Sequence, residues 1–428
     1  MPKELLESFR EAYRNLELLP LLDQKDLDKF KVDYATDIIE ELQQLVEDSP
    51  SGDGKIVFTG HRGCGKSTLL AELSRRLEPG YFVVFFSISD MIEMSDVNHI
   101  NILFAIAVRL MEEAEKRQVE IKQTTKDSFY QWFATKTRVE TEELKAETSI
   151  GFGLFKLISG KLKADAAIRN EIKQEFARKV SDLIARINDI AAVVYAATQK
   201  EIIVIIDDLD KLDLELVREI FQEHIKALFQ PNFRIILTIP IAAFREVSLV
   251  ATIETETNNQ KVAMPVSKLF AKGERRQANA SPKPEPTAML CEILSKRLPS
   301  ELIEPQTAEQ IIVYSGGVLR ELIRIANECC RICLRLVRRY PDRTDIKIDD
   351  EILKEAINKL RLDFDTRIGT ADYEILETTY KKSKPNDPKE QRFLDLLHGL
   401  YILEYRNAQL WYDIHPIVTQ LLEERGQT

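Results

Sequence analysis

Residues 55–68 read Lys-Ile-Val-Phe-Thr-Gly-His-Arg-Gly-Cys-Gly-Lys-Ser-Thr. An apolar run, Ile56-Val57-Phe58, enters the spacing Gly60-x-x-x-x-Gly65-Lys66-Ser67, and Leu69-Leu-Ala-Glu-Leu leaves it with helical character. This strand, loop and helix-start combination is the spacing of a phosphate-binding loop. Glycines let the backbone curl until its N–H groups converge on an anion, and the following helix adds the positive end of its dipole. Lys66 would reach the β- and γ-phosphates of a nucleotide, and the Ser67 hydroxyl would hold Mg²⁺. Gly60, Gly63, Cys64, Gly65 and Thr68 complete the expected cradle.

Such a loop demands a buried sheet behind it. Tyr81-Phe-Val-Val-Phe-Phe-Ser-Ile-Ser, Glu201-Ile-Ile-Val-Ile-Ile-Asp and Phe233-Arg-Ile-Ile-Leu-Thr-Ile-Pro supply three more apolar runs, separated by helical patterns. Strands alternating with helices predict an α/β fold, a parallel sheet covered on both faces. Pro240 cannot continue a central strand. Residues 98–117 are expected to be helical, 126–148 charged and helical, and 168–199 one amphipathic helix. Ser149 to Asp165 reads as a short, glycine-interrupted hairpin packed on its own domain, with a membrane or partner surface as the alternative. Residues 273–287, with Lys283-Pro-Glu-Pro, read as a surface loop.

A phosphate loop needs a carboxylate on a neighbouring strand. Ile202–Ile206 ending in Asp207 provides one where the strand meets the sheet's ligand-binding edge. Asp207 would orient Mg²⁺, and Asp208 would act as general base toward water. Asp210 and Asp213 read as a solvated helix start, where acids suit the dipole. Thr238, near the end of the fourth apolar run, offers a hydroxyl to water or γ-phosphate. Arg320, which follows Ser315-Gly-Gly-Val-Leu, would reach back to the γ-phosphate with its planar fork.

Together these residues resemble the AAA+ and STAND branch of P-loop ATPases over residues 35–345. In that resemblance Gly60–Thr68 is Walker A, Ile202–Asp208 Walker B, Thr238 sensor 1 and Ser315–Arg324 sensor 2. The run Asp207-Asp208-Leu209-Asp210 is similar to the Walker B of KAP-type bacterial ATPases. The resemblance implies ATP as ligand, a helical lid carrying Arg320, and nucleotide-dependent oligomerisation. It implies an arginine finger too, for which Arg245 is the first candidate and Arg275 or Arg276 the others. Where many AAA+ motors carry Glu, this chain has Asp208, one methylene shorter, which suits a slow switch better than a motor. The expected organisation is N-terminal helices over 1–50, an ATPase core over 51–287 with an insertion at about 118–170, a helical lid over 288–360 and a winged helix over 361–428. The last rests on Phe393-Leu-Asp-Leu-Leu-His followed by two strand-like runs around a tight turn.

Composition bounds the partners. The 428 residues carry a formal charge of −10, with 44% hydrophobic and 30% charged residues. That balance argues against a protein held on nucleic acid by overall charge. The arginines at 320, 324, 331, 335, 338 and 339 share a helix face that would suit nucleic-acid backbone, but Glu321 and Glu328 lie among them, so a solvated or intersubunit face is expected. A DNA-associated ATPase of initiator or transposition-regulator type stays as the alternative to a switch with a protein effector. The charged start lacks a secretion signal, and no run is apolar enough to span a membrane. Five cysteines without metal-binding spacing suit a reducing cytoplasm, with Cys329, Cys330 and Cys333 on a buried helix face.

Overall fold

The computed structural model describes residues 2–49, 54–138, 154–406 and 409–426. The chain divides into two compact units. One comprises residues 37–59 and 69–263, the other residues 1–36, 60–68 and 264–428.

The first unit is built on a parallel five-stranded sheet. Its strands are β1 (Lys55–Gly60), β2 (Tyr81–Ser87), β3 (Glu201–Asp207), β4 (Arg234–Pro240) and β5 (Lys261–Met264), in the order β2-β3-β4-β1-β5. This is an α/β fold. β3 is buried from Ile202 to Asp207 and β4 throughout, which is why both read as unbroken apolar runs. The register pairs Ser87 with Asp207, so the ends of β2 and β3 coincide. Lys55 and Arg234 are buried in this unit, each held by hydrogen-bond partners. Lys55 Nζ donates to the carbonyls of Pro231 and Phe233 at 2.8 and 2.6 Å. Arg234 pairs with Glu201 and donates to the Val46 carbonyl.

The insertion corrects the sequence expectation. Leu154–Ala164 is a helix, not a hairpin strand, and residues 149–153 lie outside the described residues. Phe155, Ile158 and Leu162 recur at helical spacing and are fully buried, while Gly160 faces open space and is tolerated. Phe155 meets Phe133 edge-to-face at 5.1 Å, and Phe133 meets Phe104 in the same way at 5.7 Å. The insertion therefore packs on helix His99–Lys116, which is buried on nearly every side. The helix expected from about 126 runs from Gln123 to Thr137, with residues 139–148 outside the described residues. The single helix expected over 168–199 is two, Ala166–Phe176 and Val180–Thr198. β5, four residues long, was not anticipated.

In the second unit the helix Pro2–Asn15 packs on the long helix Leu319–Arg339, and Asn327 Nδ2 donates to the Leu16 carbonyl at 3.0 Å. Cys329, Cys330 and Cys333 are buried on that long helix, and burial pushes the Cys330 thiol up to about 12. Lys283-Pro-Glu-Pro is not loop: Pro284 opens the helix Pro284–Ser295, where a missing N–H costs nothing. Helix Gln391–His398 leads into the antiparallel pair β6 (Ile402–Arg406) and β7 (Leu410–Ile414), followed by helix Pro416–Glu424.

Candidate functional site

Two clusters of candidate residues emerge, one in each unit. In the second unit the loop Gly60–Thr68 is held at several points. Gly63 and Gly65 have φ of +78° and +100°, backbone that residues with a Cβ rarely adopt. Both are approached closely. A Cβ on Gly63 would come within 3.2 Å of Arg320 Cδ, and one on Gly65 within 2.7 Å of Tyr34 Cζ. The Arg320 N–H donates to the Gly63 carbonyl at 2.9 Å, so the half-buried arginine expected near the phosphates is brought onto the loop itself. Tyr34 Oη donates to the Gly65 carbonyl at 3.0 Å. The Thr68 Oγ1 accepts from the Leu21 N–H at 3.1 Å, which ties this hydroxyl to the N-terminal segment.

Lys66 is buried, and its Nζ donates to the carbonyls of Gly60 and His61 at 2.9 and 2.8 Å. An ammonium so placed is oriented by the loop it belongs to and can exchange those carbonyls for phosphate oxygens. Cys64 Sγ, also buried, lies 3.9 Å from the same Nζ. Ser67 is half-buried at the start of helix Lys66–Leu77.

In the first unit Asp207, Asp208 and Asp210 are all buried, and a carboxylate oxygen from each lies within 4.8 Å of the others. Hard oxygen donors of this number and spacing fit Mg²⁺. Asp210 is thus corrected from a solvated helix start to a member of the acidic cluster. Asp213 is the helix start, capping Leu214–Arg218 by accepting from the Leu216 N–H at 2.9 Å.

Asp208 sits in left-handed backbone, φ +70°. Its Oδ2 accepts from the Ser87 and Ser89 hydroxyls at 2.6 and 3.0 Å, and Oδ1 pairs with Lys211 at 2.6 Å. Burial pushes its carboxyl upward, but the Lys211 ammonium and the two hydroxyls outweigh this and hold it below the ordinary range. A carboxylate stabilised by three donors is a weakened proton acceptor. Thr238 is fully buried, and its Oγ1 accepts from the Leu209 N–H at 3.1 Å. It fastens the turn that carries Asp208 and Asp210, so the hydroxyl expected for water or phosphate already has a local partner.

Ser87, Ser89, Lys211, Tyr34 and His61 were missed by sequence reasoning. Ser87 carried a usable signal, because it ends the apolar run beside the one that ends in Asp207. Tyr34 and His61 carried none.

Two arginine-finger candidates are engaged within the second unit. Asp413 pairs with Arg276 at 2.8 Å and Arg275 at 3.5 Å, and Arg275 also donates to Thr419 Oγ1 at 2.9 Å. Arg245 is half-buried at the end of the turn Ile241–Arg245. Three of the six arginines on helix Leu319–Arg339 pair with acids. Arg324 pairs with Glu321, Arg331 with Glu328 and Arg335 with Glu355, and beyond the helix Arg343 pairs with Asp345.

Residues 36–237, just under half of the chain, match the family described as AAA ATPase domain. No curated protein sequence matches the chain. Among solved structures, it is similar to the Orc1 protein of Aeropyrum pernix in complex with DNA, with 12% identity, 97% of each chain covered and a TM-score of 0.41. It is similar to Cdc6p from Pyrobaculum aerophilum, with 11% identity, 97% of this chain and 98% of that chain covered and a TM-score of 0.38. Drosophila ORC bound to DNA follows, with 9% identity, 97% and 91% covered and a TM-score of 0.38. No described helix is long and apolar enough to cross a membrane.

Proposed function

We propose that this chain is an AAA-type ATPase that binds ATP with Mg²⁺, hydrolyses it slowly, and uses the bound state as a switch. The observation that carries this reading is the loop Gly60–Thr68, with its left-handed glycines, its buried Lys66 and Arg320 seated against Gly63. Its residue types suit a triphosphate: converging N–H groups for the oxygens, an ammonium for the β- and γ-phosphates, and a guanidinium that can follow the γ-phosphate. The AAA ATPase domain match over residues 36–237 supports the same ligand.

Asp207, with Asp210 beside it, would hold Mg²⁺, and Ser67 offers a hydroxyl in the phosphate loop. The ion when bound neutralises phosphate charge. Asp208 is the general base of this reading. Its short side chain, depressed proton affinity and three donors support slow turnover, because a base works best when its pKa lies near the operating pH. Thr238 supports the reaction by fixing the acid-bearing turn.

The lid assignment of residues 288–360, the winged-helix assignment of residues 361–428, STAND-type signalling, ATP-dependent self-assembly, a protein effector and a cytoplasmic setting belong to this proposal too. The pairing of Arg324, Arg331 and Arg335 with Glu321, Glu328 and Glu355 supports protein contact over DNA in this reading.

The test is calorimetric binding of ATP and ADP with Mg²⁺, phosphate release, and mass in solution with ADP or a non-hydrolysable ATP analogue. The parent should bind both nucleotides, release phosphate slowly and gain mass with the ATP analogue, while Lys66→Ala should lose binding. A parent that binds neither nucleotide at millimolar concentration refutes the proposal. Equal masses in the two nucleotides refute the assembly part alone.

A further inference from the structure

His61 lies inside the phosphate loop, yet nothing in the loop's phosphate chemistry requires an imidazole there. It is buried at 1% exposure. Its two ends make two different contacts. The backbone carbonyl accepts from Lys66 Nζ at 2.8 Å, and the ring Nε2 accepts from the Glu404 N–H of β6 at 2.7 Å. An acceptor nitrogen cannot carry a proton, so the ring is held with Nε2 bare. The next residue repeats the connection: Arg62 Nη2 lies 2.9 Å from His398 Nε2, at the end of the helix that leads into β6.

The hairpin at the far end of these contacts is well packed. Val266, Val318, Leu403, Tyr405 and Trp411 form one apolar cluster. The Tyr405 and Trp411 rings stack with centroids 4.5 Å apart, and Tyr405 Oη donates to the Gly316 carbonyl at 2.8 Å. The Gly316 carbonyl belongs to the glycine turn that precedes Arg320, so the hairpin is joined both to the loop and to the segment presenting the arginine.

We infer that His61 is a positioning residue through which the β6–β7 hairpin reads the occupancy of the phosphate loop. The inference rests on the nucleotide-binding reading above. Lys66 must exchange its carbonyl partners for phosphate oxygens when a nucleotide binds. That exchange releases the His61 carbonyl and lets its peptide turn. The imidazole on the same residue then changes its grip on Glu404, and the hairpin shifts against Val266 and Val318. The structure thus gives one residue both the input, at its carbonyl, and the output, at its ring.

The chain has two tryptophans, Trp132 and Trp411, so Trp132→Phe leaves one reporter beside Tyr405. In that background, Trp411 emission is measured with ATP and with ADP at concentrations saturating for each variant by calorimetry. ATP should change the emission. The change should vanish in His61→Leu and return in His61→Gln, whose side-chain oxygen reaches about where Nε2 lies. Hydrogen exchange on the unmutated chain gives a second readout that needs no variant to fold, and the Glu404 amide should exchange at least several-fold faster with ATP bound. A full ATP response in His61→Leu overturns the inference. So does ATP binding with neither a Trp411 response nor faster Glu404 exchange in the unaltered loop, and that result leaves the nucleotide-binding reading standing. Absence of any calorimetric binding instead sinks that reading, and the coupling with it.

Discussion

Gly65→Ala is the sharpest test of how the phosphate loop is held. Two costs add. The backbone at φ +100° is forced on a residue with a Cβ, roughly 1–2 kcal/mol. The new methyl also drives into the Tyr34 ring, with Cζ at 2.7 Å and Cε2 at 3.0 Å, and displaces a hydroxyl whose bond to the Gly65 carbonyl is worth about 1 kcal/mol. The expected total is about 2–4 kcal/mol, with ATP affinity falling as the loop's N–H groups lose their alignment. The obstacle is a side chain, so it can be removed. In a double-mutant cycle on urea-unfolding midpoints, Tyr34→Ala should recover the steric share of the Gly65→Ala loss and leave the backbone share, a coupling of about 1 kcal/mol or more. Gly317→Ala is the control. Its Cβ would meet the backbone carbonyl carbon of Ser267 at 2.8 Å, and Ser267→Gly should rescue nothing. Equal costs for Gly65→Ala with and without Tyr34 would refute the reasoning.

Asp208→Asn should keep ATP binding and lose roughly 100-fold or more in phosphate release, since a positioned base contributes at least that much. Asp413→Ala should lower stability by about 3 kcal/mol in chemical denaturation, because two arginines lose the carboxylate that neutralises them. Stability should fall as pH drops below 6.5. Burial, then His224 and Lys173, lower His99 to about 4, and burial, then Arg324 and Arg275, hold His415 well below the usual histidine value. The unfolded chain therefore takes up protons below pH 6.5 that the folded chain refuses, so the stabilisation is complete above that pH and is lost beneath it. A flat denaturation midpoint from pH 7.5 to 5.5 would contradict this. Duplex DNA should show no salt-sensitive binding through Arg331 and Arg335, and filter binding at low salt with their alanine variants checks it.

The first four strands were legible because burial on both faces leaves an unbroken apolar run, and Asp207 marked the end of β3 by interrupting one. β5 was not legible. Lys261-Val-Ala-Met is too short to display a period, and its burial alternates. The insertion misled because Gly151, Gly153 and Gly160 suggested turns, whereas Phe155, Ile158 and Leu162 already carried the helical spacing. Asp207, Asp208, Lys66 and Arg320 were named from local motifs. Their restraints were not, since Tyr34 reaches Gly65 across 31 positions and Glu404 reaches His61 across 343. Periodicity reports which face of an element is buried. It carries no information about which distant segment does the burying.

The left-handed backbone at Asp208 bears on any attempt to lengthen the acid at this position. Installing a glutamate looks like a one-methylene gain in reach. Asp and Asn tolerate positive φ better than longer side chains, so the turn selects the shorter acid before catalysis is considered. Residue type at this position is a compromise between handedness and reach. An engineer would therefore have to redesign the turn first and exchange the acid afterwards.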